Sequence, residues 1–227
     1  MDGSILVIRR VLLHLPSIQN LIYFVTLVSH YEDSIPPTLS LSVLTSLTLW
    51  VDYTCHGKVK YCLSDLSLPC LCSFALKYVA NVIQYPFAAE SITDVLGTCS
   101  QSLRSFSLEK VLVRASCLID ILSVVPGLTR LELRDPVLGS FILYCPVSQT
   151  LATHIEANSM FLPDLEPVEF IWLREDTRCK LEKALMEMVE TRRAYGKLKD
   201  VTIGRLNPYE EFGVDTNRRL AALKWQD

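Results

Sequence analysis

The chain repeats a short apolar motif, in which an apolar residue is followed by two positions, a second apolar residue, one position and a third apolar residue. Apolar residues two apart point to the same side of a strand, so each motif predicts a β-strand with one buried face. The middle residues of successive motifs lie 25 to 37 positions apart. The seven motifs are Ile18/Leu21/Tyr23, Leu44/Leu47/Leu49, Leu71/Phe74/Leu76, Leu103/Phe106/Leu108, Leu128/Leu131/Leu133, Leu165/Val168/Phe170 and Leu198/Val201/Ile203.

A proline stands two residues before the motif in four of the seven cases. Proline fixes φ and lacks an N–H, so it ends a helix and directs the chain into an extended segment. The same stop ahead of the same strand favours a true structural repeat. The four segments are Leu15-Pro16-Ser17-Ile18, Leu68-Pro69-Cys70-Leu71, Val125-Pro126-Gly127-Leu128 and Leu162-Pro163-Asp164-Leu165.

The segments between the motifs contain helical patterns. Leu118, Ile121 and Leu122 share one face of a predicted helix that ends before Pro126. A second apolar stripe follows Asp176, which is a suitable N-cap residue. The predicted helices span 115–125, 178–193 and 91–99, whereas the stretches after Leu49 and Leu133 are predicted to be irregular.

Strands and helices that alternate at this period predict an α/β fold, a short and irregular leucine-rich-repeat solenoid with a parallel sheet and outer helices. We assign residues 1–204 to the solenoid and residues 205–227 to a C-terminal cap or tail. Pro167 lies inside the sixth motif, where it removes a donor from the ladder of hydrogen bonds. That strand is therefore predicted to be distorted, or to begin only at Glu169.

The polar residues between the apolar positions are predicted to form the concave surface of the sheet. Arginine and tryptophan are frequent anchors at protein interfaces, so this surface is the predicted partner-binding site. The alternative is that Arg130 and Arg134 only pair across strands with carboxylates such as Glu109 and Glu132. The candidate partner-binding residues are Thr48, Trp50, Ser105, Ser107, Glu109, Arg130, Glu132 and Arg134.

Composition narrows the classes of function. Half of the 227 residues are hydrophobic, and the net charge of −3 comes without a basic patch, so nucleic-acid binding is not expected. The most apolar window, residues 11–29, is interrupted by His14 and Pro16 among others, so no membrane partner is expected. The N-terminus lacks the pattern of a signal peptide, which predicts a cytoplasmic or nuclear protein.

The residue types that carry chemistry form no recognisable motif. The four histidines are scattered, and no metal-protease, serine-hydrolase or phosphate-loop pattern is present. We therefore predict no catalytic, cofactor-binding or metal-binding residue. Cys70 and Cys72 are predicted to share one face of a strand, with no second pair to complete a zinc site. The eight cysteines are expected to be free, buried thiols, and the acidic residues between Asp164 and Asp176 to be solvated.

Five segments carry a family resemblance: Leu15-Pro16, Leu68-Pro69, 125–133, Leu162-Pro163 and 198–203. Over residues 15–204 the chain resembles the leucine-rich-repeat region of fungal, basidiomycete-type F-box proteins. In that family the F-box docks on the Skp1-type adaptor of an SCF-type ubiquitin ligase, and the repeats hold the substrate. An F-box is not recognisable ahead of the repeats here. The resemblance therefore implies substrate recognition, and a Skp1-type adaptor only if an F-box exists upstream.

These features predict a non-enzymatic protein-interaction module with an unidentified protein client. Two alternatives stay open from the residues alone. The chain could be a fragment of a larger F-box protein without an independent function. It could also be an α/β enzyme whose active site lies at the carboxyl ends of its strands.

Overall fold

The seven apolar motifs form one parallel sheet. The computed structural model describes residues 17–25, 39–52, 59–63, 66–79, 90–134, 147–172, 178–194, 198–205 and 218. The strands of the large sheet are β1 (Asn20–Val25), β3 (Ser46–Val51), β5 (Ser73–Tyr78), β6 (Ser105–Glu109), β7 (Arg130–Arg134), β8 (Pro167–Trp172) and β9 (Asp200–Arg205). Two short strands, β2 (Leu39–Ser40) and β4 (Leu66–Ser67), form a separate parallel pair. The predicted α/β class with a parallel sheet is confirmed.

The strand order of the large sheet follows the chain order, β1-β3-β5-β6-β7-β8-β9. Each strand pairs in parallel with the strand of the next motif. The register is the same at every step, because the middle residues of the motifs pair with one another along the sheet. Strands β1 and β9 lie at opposite ends of this order, so the sheet does not close into a barrel.

Helices follow most of the strands and cover one side of the sheet. They are α1 (Val59–Leu63), α2 (Glu90–Thr98), α3 (Ala115–Ser123), α4 (Val147–Ala157) and α5 (Arg178–Ala194). Successive helices contact each other from α1 to α5. Their apolar side chains, such as Leu118, Leu151 and Leu185, join the inward residues of the strands in one buried cluster. A continuous core therefore lies between the helix layer and the sheet.

Three predicted helices are confirmed, whereas the prediction that two other stretches are irregular is wrong. Helix α3 ends with a C-cap at Val124, and α2 and α5 lie within one residue of the expected bounds. Helix α4 lies in the stretch after Leu133, and the short α1 lies in the stretch after Leu49. The apolar stripe of α4 consists of Leu151, Ala152 and Ile155 in a polar surrounding, and its packing on α5 supplies the burial that the pattern did not indicate.

The prolines of the motifs occupy tight turns. The N–H of Leu71 donates to the carbonyl of Leu68, and Leu128 and Leu165 donate in the same way to Val125 and Leu162. Pro69, Pro126 and Pro163 therefore stand at the second position of a four-residue turn, where a φ near −65° is required and no N–H is needed. The Leu15-Pro16 segment lies outside the described residues. The recurring proline thus marks a turn rather than only a helix stop.

A recurring backbone contact joins each turn to the next repeat. The carbonyl of Gln19 accepts hydrogen bonds from the N–H groups of Thr45 and Ser46, at 2.8 and 3.0 Å. The carbonyls of Thr45, Cys72 and Arg104 each accept two N–H groups from the following repeat in the same way. Because each step uses backbone N–H and C=O groups, it sets the register without requiring a particular side chain. The hydroxyls of Thr45 and Thr129 add a further donor to two of these carbonyls.

Pro167 is the first residue of β8, so the expectation that this strand begins at Glu169 is wrong. Pairing between β7 and β8 starts one residue later, at Leu131 and Val168. Because Pro167 has no N–H, the Thr129 carbonyl accepts only the N–H of Glu166, as the predicted loss of a donor requires, but the pairing from Val168 onward is unaffected. The sixth motif therefore keeps the register of the others.

A buried arginine joins the last two helices. Arg192 of α5 is 7% exposed, and its guanidinium donates to five backbone carbonyls in the last turn of α4 and the segment after it. The acceptors are the carbonyl oxygens of Ile155 (3.3 Å), Asn158 (3.1 Å), Ser159 (3.0 Å), Leu162 (3.5 Å) and Phe161. Burial lowers the pKa of this guanidinium below its ordinary value.

Two sequence predictions concern residues that the structure does not describe. The N-cap role of Asp176 lies outside the described residues. So does the predicted cap or tail, apart from Arg205 at the end of β9 and Arg218. Among the helices that are described, none combines the length and the apolar character needed to cross a membrane.

Candidate binding face

The outward side chains of the large sheet form a surface of three rows, which we call the outer face. Each row follows from the register of the strands and runs across the sheet at right angles to them. The first row is Asn20, Ser46, Ser73, Ser105 and Arg130. The second row is Ile22, Thr48, Ala75, Ser107, Glu132, Glu169 and Thr202. The third row is Phe24, Trp50, Lys77, Glu109, Arg134 and Ile171.

All eight predicted partner-binding residues lie on the outer face. Ser105 and Arg130 stand in the first row, and the other six stand in the second and third rows. Every one of the eight is exposed or partly exposed, whereas the inward residues of the same strands are buried. The alternation of apolar and polar residues therefore assigned the two sides of the sheet correctly.

An aromatic pair forms the β1 end of the third row. The rings of Phe24 and Trp50 are stacked, with centroids 5.9 Å apart and planes inclined by 15°. The Lys77 ammonium lies 5.3 Å from the centroid of the Trp50 ring, in a cation–π arrangement. Sequence reasoning selected Trp50 but missed Phe24 and Lys77. Both occupy the same register position as Trp50, so aligning the seven motifs would have found them.

Alternating charges continue the third row toward β8. The Lys77 Nζ lies 3.1 Å from a carboxylate oxygen of Glu109, which lies 4.0 Å from the Arg134 guanidinium. Arg134 also contacts Glu169, with 2.8 Å between the guanidinium and carboxylate atoms. Each charge is thus matched by an opposite charge on the next strand. The cross-strand pairing expected for Arg134 is confirmed for Glu109, with Glu169 as a second partner.

Arg130 pairs along its own strand rather than across strands. Its guanidinium lies 2.5 Å from the carboxylate of Glu132, two residues further along β7. The expectation that Arg130 pairs with a carboxylate on a neighbouring strand is wrong. Residues two apart on a strand share a face, and the long arginine side chain spans that distance. Arg130 keeps the greater accessibility of the two arginines, since its side chain is 54% exposed.

Removing the Arg134 charge should barely change stability. The side chain is 39% exposed, and ion pairs in such positions contribute at most about 1 kcal/mol. We expect Arg134→Ala to shift the free energy of unfolding, measured by urea titration, by less than about 1 kcal/mol. A loss above about 2 kcal/mol would show that Arg134 holds the fold together rather than serving the surface.

Small side chains occupy the first and second rows between the aromatic and charged ends. Ser46, Thr48, Ser73, Ala75, Ser105 and Ser107 lie on three adjacent strands and are partly exposed. The larger side chains of the third row stand beside them. The outer face is therefore lower along these rows than along the third row.

The cysteines whose burial the structure describes divide into exposed and buried thiols, apart from Cys117, which was expected to be buried and is only partly buried. Cys70 and Cys72 are exposed and lie in the turn before β5, so their predicted placement on one face of a strand is wrong, as is their expected burial. The turn set by Pro69 displaces them from the strand. Cys62 and Cys99 are buried, and burial raises the pKa of Cys99 to about 11. All four are free thiols.

Alkylation should separate these two classes. At pH 8 we expect iodoacetamide to label the native peptide containing Cys70 and Cys72 within minutes, because thiolate reactivity requires exposure and an accessible charged form. The peptide containing Cys99 should stay unlabelled until denaturant is added. Peptide mapping by mass spectrometry measures the labelling of both peptides. Fast labelling of Cys99 in the native protein would contradict its burial in the core.

No group of three or more metal-ligating side chains occurs within the described ranges. Of the acidic residues near the sixth motif, Glu166 pairs with Lys199 at 2.9 Å and Glu169 pairs with Arg134. Glu175 and Asp176 lie outside the described residues. Glu166 and Glu169 are therefore partners of cations on the sheet and its turns.

The arrangement offers a broad, mostly half-exposed surface with an aromatic end, a row of small side chains and a neutralised charged end. Such a surface can contact another macromolecule over several strands at once. Comparison with known proteins finds no matching family model, no similar curated protein and no similar solved structure.

Proposed function

We propose that this chain is a protein-interaction module, a leucine-rich-repeat solenoid that holds a protein client on its outer face. The observation that carries the proposal is the continuous third row, in which the aromatic pair of Phe24 and Trp50 adjoins the charges of Lys77, Glu109 and Arg134. Glu169 of the second row is a further partner of Arg134. Aromatic residues and arginine are enriched at protein interfaces and carry much of their binding energy.

The repeated turn contact supports the solenoid part of the proposal. Each repeat donates the N–H groups of its turn to the carbonyl of the preceding turn, and the strand order equals the chain order. In repeat proteins each unit contacts only its neighbours and stacks to bury a shared core. The parallel sheet then presents one long face, on which residues from many repeats act together.

The dimensions of the outer face suit a protein segment better than a small molecule. Seven strands about 4.8 Å apart make a face roughly 30 Å long. Ligand pockets for small molecules are concave and enclose most of the ligand surface. A row of side chains from successive strands instead favours a client segment that lies along the row, across the strands.

The family resemblance extends the proposal to a place in ubiquitin transfer. We propose that the client is a substrate of an SCF-type ubiquitin ligase and that the outer face is the substrate-recognition part of its receptor. A Skp1-type adaptor would join this assembly through an F-box upstream of the repeats. This step rests on the resemblance, whereas client binding rests on the outer face.

Comparative affinity purification tests client binding. The tagged full chain, a Trp50→Ala/Arg134→Glu variant and a Lys183→Glu control on the exposed side of α5 are used as baits in a fungal lysate. Proteins recovered by the wild type and the control, but depleted at least tenfold by the outer-face variant, are purified and titrated directly. Equal binding of every recovered protein to all three baits would refute the outer face as the binding site.

A further inference from the structure

The described residues leave the outer edge of β1 sparsely covered. The core-side residue Leu21 is only half-buried, whereas Leu47, its neighbour in register, is 2% exposed. On the outer face, Ile22 is 65% exposed and Phe24 is 57% exposed. Within the described ranges, no strand pairs with β1 on the side away from β3. Among the described residues, β1 therefore combines an edge position in the sheet with exposed apolar side chains.

The sequence of β1 is suited to pairing with another strand. Its six residues, NLIYFV, carry no charge and include no proline or glycine. Four of the six are β-branched or aromatic, the types that favour strands. The opposite edge strand, β9, reads DVTIGR and has a charged residue at each end. Edge strands usually carry charges or prolines that prevent pairing between molecules, and β1 has neither.

We propose that the β1 edge pairs with β1 of a second copy of this chain in antiparallel orientation. A twofold axis normal to the sheet at Tyr23 places Ile22 of each copy opposite Phe24 of the other, and Leu21 opposite Val25. Residues opposite each other in this register have the same parity, so both outer faces remain on one side of the joined sheet. Each of these cross-strand pairs is apolar, and no like charges meet.

The alternative pairing of β1 with β9 of another copy is poorly matched. Continuing the parallel register of the sheet would set Ile22 beside Thr202 and Phe24 beside Gly204. Neither contact covers the exposed apolar surface with an apolar side chain. That arrangement would also repeat without closing and give open filaments, whereas the antiparallel pairing closes as a dimer.

The dimer is expected to be weak. A strand of six residues presents an edge of about 20 Å, which is too small for the standard interface of about 800 Å² on each partner. Interfaces at the low end of this range belong to transient complexes, so we expect a Kd in the micromolar range. Phe24 belongs to both proposed surfaces, but dimerisation is measured on the purified chain without a client, so its failure and the failure of client binding are distinguishable.

Sedimentation velocity of the full chain from about 1 to about 200 µM tests the pairing, since this range brackets a micromolar Kd. We expect the wild type to shift from monomer to dimer and Ile22→Lys to stay monomeric. The control is Met160→Lys, since Met160 is an 81% exposed apolar residue away from β1, and it should dimerise like the wild type. Circular dichroism melting checks that Ile22→Lys still folds, as expected for an exposed side chain.

The register is tested by crosslinking. Copies carrying Ile22→Cys and copies carrying Phe24→Cys are mixed and oxidised, and mass spectrometry should find peptides joined through positions 22 and 24. A wild type that stays monomeric at every concentration would overturn the proposal. So would a dimer that persists in Ile22→Lys, a dimer lost in Met160→Lys alone, or larger concentration-dependent assemblies in place of a dimer.

Discussion

Arg192→Met should lower the free energy of unfolding by about 3 kcal/mol, measured as a shift of the urea midpoint at constant slope. The last carbonyls of a helix lack partners within the helix, and they carry the negative end of its dipole. The Arg192 guanidinium supplies donors and a positive charge to this end of α4. Methionine fills a similar volume but leaves buried carbonyls without donors, which is the costly part of the change.

Two matched variants separate the causes of this loss. Lys183→Met removes a 72% exposed charge from the same helix, together with its 3.7 Å pair to Glu187, and should change stability by no more than about 0.5 kcal/mol. Arg192→Lys restores the charge but not the fork of donors that spans several carbonyls, so its stability should lie between wild type and Arg192→Met. If Arg192→Met is no less stable than Lys183→Met, the cap on α4 contributes nothing.

Phe106→Ala should cost about 4 kcal/mol, because it opens a cavity in the centre of the core. Phe106 is fully buried and stacks on Phe74 across β5 and β6, with centroids 5.9 Å apart and planes inclined by 18°. A cavity at this point has three strands of the sheet on each side and cannot be closed by the collapse of an edge.

Phe24→Ala is the matched control for that change. Phe24 stacks on Trp50 at the same centroid distance of 5.9 Å, but on the outer face, where it is 57% exposed. We expect a cost below about 1 kcal/mol, since an exposed ring loses little on truncation beyond the stacking itself. Chemical unfolding measures the loss of stability in each variant. Because the two ring pairs have the same centroid distance, the difference between the losses reports the contribution of burial. Similar losses for both would mean that stacking, and not burial, dominates at these positions.

The strands could be predicted because the apolar motif coincides with burial in the core. Leu47, Phe74 and Phe106 are inward residues at the centres of successive motifs, and the stacking of repeats buries all of them. The period-two pattern therefore reports directly on burial. The same pattern placed Trp50 and Arg134 on the outer face, because a strand has only two sides.

The contacts between elements could not be predicted with the same success. Helix α4 was missed because its buried stripe is short, with Leu151, Ala152 and Ile155, and its position depends on packing against α5 and on the Arg192 cap. The pairing of Arg134 with Glu169 joins residues 35 positions apart. It depends on the register of β7 and β8, which the apolar pattern does not determine. Sequence patterns report burial, whereas these contacts depend on distance in space.

The register of the sheet does not depend on how much chain lies between its strands. The middle residues of β6 and β7 are 25 positions apart and those of β7 and β8 are 37 apart, yet both pairs stand in the same register. The carbonyls of Arg104 and Thr129 accept backbone N–H groups from the next turn at these two steps, so this contact does not depend on the length of chain between the strands. Insertions and deletions between strands can therefore accumulate during evolution without moving any side chain of the outer face relative to its neighbours. The length of the helical segments and the identity of the surface residues are free to diverge separately.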